Sequence, residues 1–269
     1  MTNHLKLFAT DMDGTLLDST DRDYNHDQLR EILNIFKKKG LIFCAASGRQ
    51  LLALEDLFNE FQDQVAFVAE NGAIVKYQGQ ILYSNFLGKE KAELIHQTVQ
   101  TSPHHLNGFI LFSAINGSYV LDTCEPELID YARLYYKKLT IIHSIDDIKE
   151  DILKVCVEFP PDKIHECEAW LNERVAGIRA TTTGFRSIDI MNAGISKATG
   201  LTHLLSHFNW TAENLVAFGD QMNDLEMLQF AGKSIAVSNA VEQIKAVSDI
   251  QIGSNNENSV LLEIEKLIK

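Results

Sequence analysis

Short apolar runs alternate with helical periods at both ends of the chain, and the alternation breaks once, in the middle. Residues 5–10 form an apolar run of the length of a buried strand. A polar, glycine-containing loop follows. A helical pattern then runs from a capping Asn25 to Lys39, with Gly40 just past its end. Leu29, Ile32, Leu33 and Phe36 recur on one face of that helix. Residues 41–46 read as the next strand, 51–61 as a helix and 66–69 as a further strand. Such a rhythm requires parallel strands joined by crossover helices. It returns from Ser196: a helix over 197–208, a strand over 215–218, a helix over 224–230, a strand over 234–237 and a last helix from Ser259, capped by Asn258.

Between these stretches the pattern differs. Residues 73–83 read as a hairpin turning at Gln78-Gly79, and 109–121 as a second hairpin with Asn116-Gly117 as a primed turn. Helical patterns over 89–101, 127–139 and 162–175 alternate with strand-like runs over 153–159, 178–182 and 187–191. All four prolines fall between Pro103 and Pro161. The expectation is an α/β parallel-sheet core built from 1–84 and 190–269, interrupted by an α+β insertion over 85–189.

The formal net charge of −13 and the lack of a basic stripe argue against nucleic acid as a partner. Lys37, Lys38 and Lys39 read as the basic last turn of a helix. An anionic substrate then needs a local cation to offset the general field. Cys44, Cys124, Cys156 and Cys167 form no CxxC pair, which argues against zinc and against a disulfide framework. The N-terminal stretch does not read as a signal peptide, and no apolar run approaches the roughly 18 residues that span a bilayer. The chain reads as cytoplasmic, with no membrane partner.

In open α/β sheets, ligands bind beyond the carboxyl ends of the strands. The first strand is followed by Asp11-Met12-Asp13-Gly14-Thr15, the second by Ser47-Gly48-Arg49, and 215–218 by Gly219-Asp220 with Asn223-Asp224 beyond; Lys197 opens the helix after the insertion. Two like charges about 4 Å apart repel by roughly 4 kcal/mol at an effective dielectric near 20. A hard divalent cation relieves this, and oxygen ligands beside phosphate favour magnesium. Asp11 and Asp220 can give side-chain oxygens to it, and Asp13 its backbone carbonyl. A carboxylate can attack phosphorus, a second can move the proton, Lys197 can neutralise the phosphoryl oxygens, and the Ser47 hydroxyl and Gly48 N–H can donate to them. Taken singly, each segment could be an ordinary turn or helix cap; their order at successive strand exits favours the catalytic reading. The His104-His105 pair reads as a polar loop, and the loop 181–186 as a candidate reader of the leaving group.

DMDGT, SGR, the lysine of GISKATGL and GDQMND resemble, in order, the four motifs of the haloacid dehalogenase superfamily, and AENGA at 69–73 is similar to the core of its Cof-type branch. The closest resemblance is to bacterial Cof-type sugar phosphatases. It implies a Rossmann-like core with an inserted cap of the C2 type, and a magnesium-dependent phosphatase of small phosphorylated metabolites. It implies Asp11 as nucleophile and metal ligand, Asp13 as general acid/base and backbone ligand, and Asp220 as the third ligand. Met12 (through its backbone), Ser47, Gly48, Lys197 and Asn223 would hold phosphate. Thr15 and Asp224 would stand behind the ligands, Asp224 being a ligand itself or a group orienting Lys197 or a metal-bound water. Alternatives using the same residues are a phosphotransferase or mutase and a non-catalytic phosphometabolite sensor; a receiver domain would need neither the length nor the insertion. The expected assembly is a monomer or homodimer.

Overall fold

The first strand, β1 (Leu7–Thr10), is buried along its whole length and forms the middle of a sheet. The computed structural model describes residues 4–104, 109–183 and 186–269. After β1 come α1 (His26–Lys39), β2 (Ile42–Ala46), α2 (Leu51–Leu57), β3 (Val65–Ala69) and the hairpin β4 (Ile74–Tyr77) and β5 (Gln80–Ser84). The middle of the chain holds α3 (Lys89–Gln100), β6 (Ile110–Ala114), β7 (Ser118–Leu121), α4 (Pro126–Ala132), β8 (Leu139–Ile142), β9 (Ile152–Glu158), α5 (Ile164–Arg174), β10 (Ile178–Thr182) and β11 (Ser187–Asn192). Then follow α6 (Lys197–His207), β12 (Leu215–Gly219), α7 (Leu225–Phe230), β13 (Lys233–Ala236), α8 (Glu242–Val247), β14 (Ile250–Gln251) and α9 (Ser259–Ile268).

The chain divides into two compact units. The first comprises Met1–Ser47, Leu57–Tyr83 and Ser196–Lys269; the second comprises Gly48–Asp56 and Ser84–Ile195. The first carries an eight-stranded sheet in the order β14-β13-β12-β1-β2-β3-β4-β5. Pairing is parallel from β14 through β3 and turns antiparallel at β4. The connections run outward from β1 on both sides, so the strand order reverses beside it. That is where open α/β sheets leave a crevice for ligands.

Helix α1 shows how the sequence fixes such an element. The Asn25 side chain accepts the Gln28 N–H at 3.0 Å, and Gly40, at φ 65, turns its own N–H back to the Phe36 carbonyl. Leu29, Ile32, Leu33 and Phe36 form its buried face, worth about 1.5–3 kcal/mol per large side chain.

The second unit holds a six-stranded, mostly antiparallel sheet in the order β10-β11-β9-β6-β7-β8. Ile95 and Val99 of α3 and Cys167 and Leu171 of α5 share a core with Phe112, Val155, Val157 and Ile190. Ile129 and Ala132 of α4 cluster instead with Leu111, Val120 and Cys156.

Four local expectations are corrected. The helix over 51–61 ends at Leu57, because the Phe61 N–H bonds only three residues back, to Phe58, and the chain coils into turns. The helix over 127–139 ends at Ala132: the Leu134 N–H also bonds three residues back, Lys138 takes φ 51, and residues 139–142 become a strand paired parallel with β7. Asn116-Gly117 is not a primed turn, since neither residue has a positive φ; the Asn116 N–H donates to Glu150 at 2.7 Å and the register shifts at Ser113/Ala114. Asn258 precedes α9 at φ 55 and makes no capping bond; its side-chain amide donates to Gln28. The loop 181–186 and the His104-His105 pair fall partly outside the described residues. Among the described residues no helix is long and apolar enough to cross a membrane.

Asn25→Ala removes the acceptor for the Gln28 N–H and is expected to lower the free energy of unfolding by about 1 kcal/mol. Urea titration at unchanged m-value checks this; an unchanged midpoint would mean the cap contributes nothing.

Candidate active site

Strand register decides which loops meet. Thr10 lies level with Phe218 of β12 and Ala45 of β2. The three strands therefore leave the sheet at one edge, with Asp11, Ser47 and Asp220 just beyond their ends. The Asp11 N–H continues the ladder by donating to the Phe218 carbonyl at 3.0 Å. Helix α6, whose Ser196 side chain accepts the Thr199 N–H, begins with Lys197. Lys197 is fully buried, at 0% exposure, and points into this cluster.

The Lys197 Nζ donates to Asp11 Oδ1 at 2.5 Å and to Asp224 Oδ1 at 2.6 Å. Asp224 Oδ2 accepts the N–H groups of Asp220 at 2.9 Å and Gln221 at 3.1 Å. Asp224 thus uses both oxygens on protein donors and orients Lys197 on one side and the Asp220 loop on the other. The Thr15 hydroxyl donates to Asp220 Oδ1 at 2.7 Å. Two glycines make the packing possible. A Cβ on Gly14, which has φ +83, would lie 2.6 Å from Asp220 Oδ2, and one on Gly219 would lie 2.6 Å from the Asp224 Cβ.

Three buried carboxylates around one lysine carry excess negative charge. Burial, opposed by Lys197 and reinforced by Asp224 and Asp13, raises the Asp11 pKa to about 7. Burial, with Asp11 and Asp224 adding to it, raises that of Asp220 to about 8, against the Thr15 bond and Lys197. Burial alone would lower the Lys197 pKa, but Asp11 and Asp224 outweigh it, so the ammonium is held charged above its ordinary range. One oxygen each from Asp11, Asp220 and Asp224 falls within 4.8 Å of the others. The second oxygens of Asp11 and Asp220 accept no hydrogen bond from the described residues. Excess charge, hard oxygen donors and two open acceptor atoms fit a divalent cation of the magnesium type.

Asp13 is exposed, two residues along from buried Asp11. Met12 is buried, and its carbonyl accepts from the N–H groups of Thr15, Leu16 and Leu17, which closes the acidic loop. Ser47 is buried at the end of β2, its N–H donating to the Val68 carbonyl. Gly48 belongs to the second unit, and its carbonyl accepts from Lys154 Nζ at 2.5 Å. Asn223 Nδ2 donates to Asn71 Oδ1 at 3.2 Å. Asn71 is not among the candidates above; the signal for it is an Asn-Gly pair in the turn that follows buried β3, where left-handed backbone is expected.

The chain belongs to the haloacid dehalogenase-like hydrolase family, whose model matches residues 8–264. It is an enzyme, a phosphatase of the phosphoric monoester hydrolase class. It is 32% identical over 266 residues to the Escherichia coli (strain K12) 5-amino-6-(5-phospho-D-ribitylamino)uracil phosphatase YbjI, covering 98% of this chain and 97% of that one. It is 25% identical to the Bacillus subtilis (strain 168) phosphatase YitU, named for the same reaction, with 94% of each chain covered. Among solved structures, SMU.1108c from Streptococcus mutans UA159 superposes with a TM-score of 0.90 at 29% identity, covering 97% of this chain and 98% of that one.

The raised carboxyls set a pH dependence. Because the Asp11 and Asp220 pKa values lie above the ordinary carboxylate range, the folded state binds more protons than the unfolded state from about pH 4 to about pH 8. The stability this cluster contributes is greatest at the acidic end of that window and falls as the pH rises through the folded values. Asp220→Asn removes one of these charges. In EDTA its melting temperature is expected to gain on that of the wild type between about pH 6 and about pH 9. Added magnesium should reverse the order at the alkaline end. Scanning fluorimetry checks both, and a wild-type-to-variant difference that is flat with pH would remove the charge cluster from the account.

Proposed function

We propose that this enzyme is a magnesium-dependent phosphatase that hydrolyses a small metabolite bearing a phosphorylated sugar or sugar-alcohol chain, through an aspartyl-phosphate on Asp11. The observation that carries the reading is the bond from fully buried Lys197 to Asp11, with Asp224 fixing the lysine from behind. It leaves Asp11 one oxygen that accepts no hydrogen bond from the described residues and can attack.

In the first step an Asp11 oxygen forms a bond to phosphorus as the ester P–O bond breaks. Asp13, exposed beside it, gives its proton to the departing oxygen. In the second step Asp13 takes a proton from water as that water attacks phosphorus, which frees inorganic phosphate and the Asp11 carboxylate. Lys197 neutralises phosphoryl charge throughout. Ser47, Gly48, Asn223 and the Met12 backbone hold the phosphoryl oxygens. Asp11, Asp220 and the Asp13 carbonyl would hold the metal, with Thr15 and Asp224 orienting them. When bound, magnesium supplies charge stabilisation to the transferring group. Residues 1–84 and 190–269 form the hydrolytic core on this reading, and 85–189 the cap that selects the substrate.

The substrate class follows from chemistry shared with the relatives. The phosphoester in the reaction for which YbjI and YitU are named sits on a ribityl chain, a polyol. The same recognition would extend to pentose and hexose phosphates. Hydrolysis is favoured over transfer to a second sugar because those relatives are named as phosphatases.

A phosphate-release screen over phosphorylated metabolites, with magnesium, tests this. Polyol and sugar phosphates are expected to lead the panel, ahead of pyridoxal phosphate. Asp11→Asn should lose at least about a thousandfold in kcat, since the nucleophile is gone. An Asp11→Asn enzyme that still turned over at near wild-type rate would overturn the nucleophile. A panel led by a phosphate lacking any polyol chain would overturn the substrate class.

A further inference from the structure

Directly after β3, Glu70, Asn71 and Gly72 have φ of +51, +53 and +98. The left-handed region costs a non-glycine residue about 1–2 kcal/mol, so two such residues in succession need a compensating cause. Both side chains are buried, Glu70 at 0% and Asn71 at 2% exposure. The cause lies in what the turn touches. The Asn71 N–H donates to the Ser47 carbonyl at 3.0 Å, and the Asn71 Oδ1 accepts from Asn223 Nδ2 at 3.2 Å. A Cβ on Gly72 would fall 2.0 Å from the Ser196 carbonyl, so the turn lies flat against the first turn of α6, where Lys197 begins. One strained turn thus contacts the segments that carry Ser47, Lys197 and Asn223.

The polarity of the Asn71–Asn223 bond matters. An Asn side chain offers a donor end and an acceptor end of nearly the same shape. By presenting an oxygen, Asn71 holds the nitrogen end of Asn223 toward itself and leaves the second N–H of that amide to donate elsewhere. If the Asn223 amide rotated freely, its oxygen would face an anion as often as its nitrogen, which repels phosphate. We propose that Asn71 is a positioning residue for phosphate capture, orienting the Asn223 amide through its side chain while its main chain holds the Ser47 segment. The proposal rests on the reading of Asn223 as a phosphate-holding group.

Asn71→Gly separates the two roles. Glycine accepts positive φ at no steric cost and keeps the N–H to Ser47, while the acceptor for Asn223 is lost. Inorganic phosphate is the probe, as a competitive inhibitor of p-nitrophenyl phosphate hydrolysis by the magnesium-loaded full chain. Asn71→Gly is expected to weaken phosphate inhibition about tenfold, the scale of one hydrogen bond to a charged group. Asn223→Ala should weaken it at least as much, and the double variant should be no worse than Asn223→Ala, because Asn71 acts through Asn223. Asn71→Ala, which keeps a Cβ, should give the same phosphate constant if the glycine variant folds poorly. Unchanged inhibition in both Asn71 variants, or losses that multiply in the double variant, would overturn the proposal. Unchanged inhibition in Asn223→Ala would instead overturn the reading beneath it.

Discussion

A single buried ammonium organises the first unit. Lys197 enters the interior at the start of α6 and bonds two carboxylates from distant parts of the chain, Asp11 and Asp224. Burying a charge is costly unless it is paired, and removing one partner of a buried pair typically costs about 3–5 kcal/mol. The lysine therefore couples folding to the acidic loop: without it, Asp11 and Asp224 would share a dry site with Asp220 and no fixed counter-charge. Even with it, burial first and the neighbouring carboxylates second hold the Asp11 and Asp220 carboxyls well above the ordinary carboxylate range. The same cluster of buried carboxylates that is unfavourable on its own fits a divalent cation.

Sheet topology supplies the frame for that interaction. The connections run outward from β1 on both sides, so the ends of β1 and β12 lie level and open onto the crevice of the sheet. Each loop at this edge is then fixed by small, specific devices. Gly14 and Gly219 admit the carboxylates of Asp220 and Asp224 where a Cβ would collide. Thr15 and the Asp220 and Gln221 N–H groups hold the carboxylates in place. Asp11 and Asp220 sit just beyond strand ends and Lys197 at a helix start, each braced by hydrogen bonds, an arrangement that suits preorganised electrostatics.

Much of this frame was legible in the sequence because it depends on local rules. Asn25, Gly40 and the four apolar residues between them specify α1 without reference to the rest of the fold. The acidic, Ser-Gly and Gly-Asp segments could be read at strand exits because parallel sheets leave polar chemistry nowhere else to go. What was illegible depends on long-range pairing. Residues 133–139 carry a helix-compatible pattern, yet Lys138 turns the chain and 139–142 pair with β7 instead. Asn258 has the composition of a cap, but its side chain is claimed by Gln28, more than two hundred residues away in sequence. Asn71 had no periodic signal at all; its role rests on partners at Ser47 and Asn223 that only the folded chain brings close. The short α8 and β14 lacked enough residues to show a period.

In the proposed reaction, phosphorus passes through a covalent bond to the Asp11 carboxylate. Rapid quenching of Asp13→Ala during turnover, followed by borohydride reduction and peptide mass spectrometry, reports on it directly. With p-nitrophenyl phosphate, whose leaving group departs without a proton, the first step survives in the variant while the base for the second is gone, so an acyl phosphate should accumulate and be reduced to homoserine at position 11. Unmodified aspartate at that position, or reduction at Asp220 or Asp224 in its place, would contradict the account.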